Sequence, residues 1–249
     1  MLLMNTVKER LFLQQDFPSK IELYYTAEKI ENGIISISGE EANHILNVMR
    51  HKVQDVLFVT DGKGSFIKSR ITSAEKKRIT AEIIESKIYE RKFTEYVFCL
   101  PRLKNADRFE FALEKCVELG INRFIVYDAE KSVAKGDKTE RWNKIALSAM
   151  KQSLNFYLPE ISYKKSLQEI PKDGIKIMFE QEFGLSLQDF IASDKINKDN
   201  DYYFIFGPEG GLSVSEQNLK GEIIRLHLTY NRLRTETAVI MAASNIIKR

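Results

Sequence analysis

The sequence is poor in the residues that form disulfide frameworks and metal sites. Its 249 residues include two cysteines, Cys99 and Cys116, and three histidines, His44, His51 and His227. The cysteines stand in apolar strand and helix contexts, and neither CxxC nor HxxxH spacing occurs. We therefore expect no disulfide and no bound metal, so that any chemistry must be metal-free.

Long apolar runs are missing as well. Runs such as "FIVY" and "YYFIF" are far shorter than the roughly 20 residues that a membrane-spanning helix needs. Residues 1–20 contain Glu9, Arg10 and Asp16 and no apolar stretch of the length found in secretory signals. We expect a cytoplasmic protein without a membrane anchor. Residues 1–20 are then an N-terminal extension, or the result of an upstream start codon with Met4 as the alternative start.

The composition suits a globular protein of two domains. With 43% hydrophobic and 29% charged residues, the chain has ample material for a packed core and lacks the signature of disorder. Short alternating runs such as "IISIS" and "RITAEII" predict a small β-rich domain over residues 21–90. Over residues 91–249 strands and helices alternate, which predicts an α/β domain with a mainly parallel sheet covered on both faces.

Local signals predict where some helices begin and what they bury. Residues 38–41 and 213–216 both read Ser-x-x-Glu, the pattern of a capping box. Thr235 is a natural N-cap for the last helix. Trp142, at helical spacing from apolar neighbours, is expected in the core or in a dimer interface.

Residues 206–217, "FGPEGGLSVSEQ", join a predicted strand to a predicted helix through a glycine-rich loop. The carboxyl edge of a parallel sheet is where open α/β folds bind ligands, and glycines let a ligand approach the backbone. The loop carries Glu209 but no lysine or arginine, and it matches neither common phosphate-binding motif. It therefore suits a neutral or cationic ligand, such as the adenosine and sulfonium groups of S-adenosylmethionine. The alternative is a tight turn that closes a strand.

A second unusual loop follows the next predicted strand. "LHLTYNRLRTETA", residues 226–238, runs from an apolar strand through polar residues and two arginines to a helix start. Two consecutive strand ends with such loops favour a shared pocket wall over two independent turns.

The two loops together carry a resemblance to a known family. "GPEGGLS" at residues 207–213 followed by "LRTETA" at residues 233–238 resembles the SPOUT-class RsmE family, the uridine-N3 methyltransferases of small-subunit ribosomal RNA. Further matches lie in "ELYYT", "EEANHILNVMR", "KNADRFEFALEKCVELG" and "RWNKIALSAMKQS", so the resemblance covers residues 21–249. It implies a PUA-like β-barrel RNA-binding domain, followed by a trefoil-knotted methyltransferase domain that dimerises and binds S-adenosylmethionine.

The resemblance also assigns roles to residues of both loops. The cofactor-binding residues would be Gly207, Pro208, Glu209, Gly210, Gly211, Leu228, Leu233, Arg234 and Thr235. Arg234 is the candidate that stabilises the uracil anion, because loss of the N3 proton places negative charge on O2 and O4. Glu236 is a candidate base, or else an early helix residue that complements the helix dipole.

The chain departs from the family pattern at two places. Where the family commonly reads Glu-Gln-Ser-x-Arg, this chain has Lys151 and Asn155 at the ends of "KQSLN". Where the family often reads Gly-x-Arg-Ile/Val-Leu-Arg, it has "TYNRLR", with Asn231 in place of the arginine and Arg232 one position later. These departures concern contacts with RNA phosphate and leave the glycine loop unchanged.

Basic residues of the small domain are the predicted RNA contacts. Between residues 63 and 78 the only acidic residue is Glu75, and the cations are Lys63, Lys68, Arg70, Lys76, Lys77 and Arg78. Such a cluster favours contact with phosphates, although a solvated charged face is the alternative. Arg50 and Arg232 complete the predicted RNA-binding set.

The expected function is therefore methylation of uridine N3 in 16S ribosomal RNA, with S-adenosylmethionine as the methyl donor. N3 lies on the Watson–Crick edge, so the target base must be unpaired or flipped out. Two alternatives remain at this point: a ribose 2′-O methyltransferase of the same fold, and a non-catalytic RNA-binding or ribosome assembly factor. The expected partners are ribosomal RNA or the small subunit, and a second copy of the chain.

Overall fold

The computed structural model describes residues 21–180, 184–193 and 196–247. It divides the chain into two compact units with the boundary between Glu90 and Arg91. The expectations about residues 1–20 lie outside the described residues.

The N-terminal unit is built on a five-stranded sheet. In sheet order the strands are β1, β3, β4, β5 and β2, and only the β1–β3 pair is parallel. Alternate residues of the strands pack into one apolar core that includes Tyr24, Ile37, Val59 and Ile79. The strand bounds are β1 Leu23–Tyr25, β2 Ile34–Ser38, β3 Val56–Thr60, β4 Ser65–Glu75 and β5 Arg78–Ile88.

The first helix begins differently from the prediction. Helix α1 spans Gly39–Asn43 and continues as a π-helical segment, His44–Val48. Ser38 forms no side-chain cap bond, so the predicted capping box is wrong. The Glu41 carboxylate instead accepts a hydrogen bond from the Tyr25 N–H of β1 at 2.9 Å. The Glu41 carboxylate, which would complete a capping box with Ser38, thus bonds to strand β1 instead.

The C-terminal unit contains a seven-stranded sheet in which every strand pair is parallel, as predicted. The sheet order is β10, β12, β9, β11, β6, β7 and β8. The interior strand β6 is buried at every residue, and alternate side chains of a strand point to opposite faces, so both faces of the sheet are covered. The strand bounds are β6 Tyr96–Pro101, β7 Arg123–Tyr127, β8 Glu160–Lys164, β9 Ile175–Phe179, β10 Leu185–Ser186, β11 Tyr202–Ile205 and β12 Ile223–His227.

The helices of this unit follow the predicted periodicity. They are α2 Ala106–Glu118, α3 Thr139–Gln152, α4 Leu187–Ala192, α5 Val214–Gln217 and α6 Thr235–Ile246, with a short 3₁₀ turn at Leu167–Glu169. Helix α2 packs against α3 and α6. Trp142 of α3 is 1% exposed, and its ring lies 5.4 Å from the Phe109 ring of α2, so its place in the core is confirmed.

The order of the strands decides which loops meet. Parallel strands end at the same edge of a sheet, and β9 lies between β11 and β12. The loops after β11 and β12 therefore flank the end of β9, although they are separated in sequence by α5 and β12. The trefoil knot stays a prediction.

Candidate active site

A cavity of about 850 Å³ lies at this edge of the sheet. Its walls are the ends of β9 and β11 and the loops that follow β11 and β12. The structure brings together every residue of the predicted cofactor set: Gly207, Pro208, Glu209, Gly210, Gly211, Leu228, Leu233, Arg234 and Thr235. The two loops thus form one concave surface of a size typical of small-molecule sites.

The glycine loop contains a tight turn and also lines the cavity. The Gly211 N–H donates to the Pro208 carbonyl at 2.8 Å, and Gly211 has a φ of +71°, which favours glycine. At the other two glycines a side chain would be tightly packed. A Cβ on Gly207 would lie 3.3 Å from the Leu212 side chain, and a Cβ on Gly210 would lie 3.2 Å from Lys131 Cβ. Packing within the protein therefore disfavours a larger residue at Gly207 and Gly210, which both also line the cavity.

The helix start that follows the glycine loop is capped as predicted. The Ser213 hydroxyl accepts from the Glu216 N–H at 3.1 Å, and the Glu216 carboxylate accepts from the Ser213 N–H at 2.8 Å. Glu216 is buried, and its second oxygen accepts from the Glu130 N–H at 2.9 Å. The cap therefore connects the glycine loop to the loop after β7.

The loop after β7 forms hydrogen bonds with the glycine loop and the helix start after it, and these contacts were not predicted from the sequence. Lys131 Nζ donates to the Leu212 carbonyl at 3.0 Å. The Ser215 hydroxyl donates to the Glu130 carboxylate, which lowers the pKa of that carboxyl. No motif in "DAEKSVAK" marks this role, because the contacts join residues about eighty positions apart.

Strand β7 also fixes the entry to the glycine loop. The Tyr127 hydroxyl donates to the Phe206 carbonyl at 2.6 Å, and the Phe206 N–H donates to the Cys99 carbonyl at 3.2 Å. Tyr127 is fully buried, and burial raises the pKa of its phenol well above the usual value. The hydroxyl therefore stays protonated and continues to donate at neutral pH.

The second loop is tied to the first by a hydrogen bond that replaces a predicted cap. The N-cap of α6 is Arg234, which forms no side-chain cap bond, so the prediction of Thr235 as the N-cap is wrong. Thr235 is the first helical residue, and its hydroxyl donates to the Gly207 carbonyl at 2.7 Å. The Thr235 hydroxyl therefore does not cap α6 but joins the loop after β12 to the glycine loop.

The cavity has a cationic side. Arg225 pairs with Glu180, and its guanidinium also donates to the Gln217 carbonyl at 3.2 Å. Arg232 and Arg234 line the cavity as well, and neither forms an ion pair with another residue in the described part of the chain. The two guanidinium groups suit a ligand that carries a carboxylate or phosphate, or one that develops negative charge.

Glu236 lies outside the cavity wall formed by the described residues. Its side chain is 14% exposed, and its carboxylate lies 3.7 Å from Nε of Arg108 on α2. It stands in the first turn of α6, where a negative charge complements the helix dipole. This position favours the dipole interpretation, and the role of a base stays a prediction.

The predicted RNA-binding residues fall into two groups. Arg232 lines the cavity, whereas Arg50 and the cluster at residues 63–78 belong to the N-terminal unit. Lys76 and Lys77 lie exposed between β4 and β5. Two other cations of the cluster face acidic residues of β5: Lys68 is paired in register with Glu85, and Arg70 with Glu82. Arg78 contacts Glu28 at 3.2 Å. The charge of the cluster is thus most open at the β4–β5 turn.

The structure also shows the surroundings of the two cysteines and of Asn155. Cys99 and Cys116 are buried and unpaired, and burial raises the pKa of both thiols, which makes them inert. In the described residues no helix is long and apolar enough to cross a membrane, and no group of side chains suited to a metal occurs there. Asn155 follows α3, where its side-chain Oδ1 accepts from the Tyr157 N–H at 3.2 Å, and Asn155 does not line the cavity.

Comparison with known proteins agrees with this geometry. A family model described as "RNA methyltransferase domain" matches residues 91–247, and one described as "RNA methyltransferase PUA domain" matches residues 37–84. The chain is 32% identical over 238 residues to ribosomal RNA small subunit methyltransferase E of Bacillus subtilis (strain 168), covering 89% of this chain and 93% of that protein.

Solved structures share the fold over nearly the whole chain. A "probable rRNA-methyltransferase" from Porphyromonas gingivalis is 29% identical with a TM-score of 0.74, covering 92% of this chain and 98% of that one. A ribosomal RNA small subunit methyltransferase E from Neisseria gonorrhoeae, bound to S-adenosyl methionine, has a TM-score of 0.76 at 24% identity, covering 92% and 97%. With a domain model over most of its length and a relative as similar as that of Bacillus subtilis, the protein belongs to the ribosomal RNA small subunit methyltransferase E family of RNA methyltransferases.

Proposed function

We propose that the protein transfers a methyl group from S-adenosylmethionine to N3 of one uridine in the RNA of the small ribosomal subunit. The observation that carries the proposal is the cavity walled by two loops that a single hydrogen bond, from Thr235 to Gly207, joins at their bases. Membership of a family whose named relatives methylate small-subunit ribosomal RNA supports it. The compartment of action in this proposal is the cytoplasm.

The residues of the cavity fit the chemistry of the methyl donor. Its volume of about 850 Å³ lies within the range of roughly 300–1,000 Å³ that small-molecule sites occupy. The backbone of residues 207–211 would offer amides and carbonyls to the nucleoside, and Glu209, which also lines the cavity, would supply a negative charge that suits a cationic ligand. Bound there, S-adenosylmethionine supplies an electrophilic methyl group.

Arg234 is the residue that we assign to the reacting base. Loss of the N3 proton creates an anion delocalised over O2 and O4, and a guanidinium without an acidic partner among the described residues is a strong donor to such an anion. The cavity would also hold the uracil in place, and positioning supplies much of the rate of an in-line displacement. Glu236 stays the candidate acceptor of the N3 proton, and in this structure its carboxylate lies 3.7 Å from Nε of Arg108.

RNA binding is assigned to both groups of basic residues. Lys76 and Lys77 at the β4–β5 turn would contact phosphates, with Lys63, Lys68, Arg70, Arg78 and Arg50 as further cations of the same unit. Arg232 would bind phosphate next to the target nucleotide. A homodimer is part of the proposal through the family resemblance.

Purified protein, S-adenosylmethionine with a labelled methyl group and small-subunit RNA that lacks the modification test the proposal. We expect label in RNA and 3-methyluridine as the labelled nucleoside after digestion and mass spectrometry. A 2′-O-methylated nucleoside would assign the protein to ribose methylation. Absence of calorimetric binding at millimolar S-adenosylmethionine would identify a non-catalytic RNA-binding factor.

A further inference from the structure

Tyr230 is a large aromatic side chain left open to solvent at the rim of the cavity. It is 89% exposed. Thr229 and Asn231, its neighbours in the chain, both line the cavity. Tyr230 is therefore at the edge of the cavity, although it does not itself line the cavity, and RNA must approach this edge if its base enters.

The Tyr230 ring is supported on one face. Its centroid lies 5.4 Å from that of the His227 ring, with 31° between the ring planes. His227 is the last residue of β12, and its Nδ1 donates to the Gly184 carbonyl at 3.0 Å. This bond orients the imidazole, and the imidazole in turn backs the phenol ring. The tyrosine ring thus has an aromatic neighbour of fixed orientation and stays almost entirely open to solvent.

We propose that Tyr230 is a stacking platform for the RNA base adjacent to the target uridine. The inference rests on the proposed function. A uridine that swings into the cavity leaves its neighbour without a stacking partner, and exposed aromatic rings are the usual protein surface for unstacked bases. Arg232, two residues away, lines the same cavity and supplies positive charge for the backbone.

The surroundings of Tyr230 favour RNA over a protein partner. Protein interfaces are marked by contiguous apolar patches, and the residues next to Tyr230 in the chain are polar or charged: Thr229, Asn231 and Arg232. A single supported ring between polar groups and a cation is typical of single-stranded nucleic-acid recognition.

Steady-state methylation kinetics of Tyr230→Ala test the platform. We expect the KM for RNA to rise roughly tenfold, the lower part of the range for loss of one stacked base. The kcat at saturating RNA and the Kd for S-adenosylmethionine should not change. Tyr230→Trp keeps a stacking surface and should retain the wild-type KM. Phe111→Ala is the matched control, because Phe111 is an aromatic residue of α2, 49% exposed, that does not line the cavity.

A spectroscopic readout separates stacking from a general loss of affinity. A short RNA with 2-aminopurine next to the methylated uridine should be quenched on binding the wild-type protein and Tyr230→Trp, and much less by Tyr230→Ala. An unchanged KM for Tyr230→Ala would overturn the inference. So would a shift of Tyr230→Ala to a smaller species in analytical ultracentrifugation, which would place the residue at a contact between copies.

The inference and the proposed function fail in different ways. If the wild-type protein transfers methyl groups and Tyr230→Ala does so with the same KM, only the platform is refuted. If the wild-type protein binds RNA without methylating it, the proposed function is refuted. The platform is then tested by RNA affinity, and equal affinity of wild type and Tyr230→Ala refutes it as well.

Discussion

Replacing Thr235 by valine tests the contact that joins the two loops of the cavity. The substitution removes one hydroxyl, keeps the branched shape of the side chain and leaves the Gly207 carbonyl without its donor at 2.7 Å. A protein hydrogen bond contributes about 0.5–1.5 kcal/mol net, and a buried carbonyl left without a partner costs about 1–3 kcal/mol. Because Gly207 and Thr235 are only partly buried, we expect a loss of about 1–2 kcal/mol.

That loss should be seen mainly in the affinity for S-adenosylmethionine, since both loops line the cavity. A change of 1–2 kcal/mol corresponds to roughly a five- to thirtyfold higher Kd in isothermal titration calorimetry. Thr235→Ser keeps the hydroxyl and should bind nearly as well as wild type. Thr237→Val is the control, because Thr237 lies exposed two residues further along α6. Wild-type affinity of Thr235→Val, or equal weakening in Thr237→Val, would refute the role of this contact.

Three further substitutions test other parts of the account. Gly211→Val places a branched residue at a φ of +71° beside the cavity, and we expect at least tenfold weaker S-adenosylmethionine binding by calorimetry; wild-type affinity would exclude this turn from the site. Replacing Lys76, Lys77 and Arg78 by alanine should reduce the slope of log Kd for RNA against log salt by about 2 and leave S-adenosylmethionine binding unchanged; an unchanged slope would remove these cations from the RNA interface. Trp142→Ala should lower the free energy of unfolding in urea by about 3–5 kcal/mol, and a loss below about 1 kcal/mol would contradict its place in the core.

The sheet and the two loops could be predicted from the sequence because their signals are local. Buried parallel strands such as β6 and β11 are continuous apolar runs, and the helices between them repeat apolar residues at helical spacing. Strand β8 was not predicted, because it is an edge strand and its residues, "EISYK", are only partly buried. Strand β10 has two residues, too few for any pattern.

The contacts that hold the site together could not be predicted, because they join residues far apart in the chain. Thr235 carried a local signal for a helix cap, as did Glu41 in the N-terminal unit, yet each bonds to a strand or loop that the fold brings alongside. The hydrogen bonds from Glu130 to Glu216 and from Lys131 to Leu212 depend on the order of strands in the sheet. Periodicity and capping rules describe neighbours in sequence, and these four contacts are set by topology.

The most direct test of the central claim is nucleotide-resolution mapping of methylation in small-subunit RNA from a strain that lacks this gene. We predict the loss of one 3-methyluridine and no other change, with recovery when the wild-type gene is restored and only partial recovery with Thr235→Val. An unchanged set of 3-methyluridines, or the loss of a ribose methyl group instead, would contradict the account.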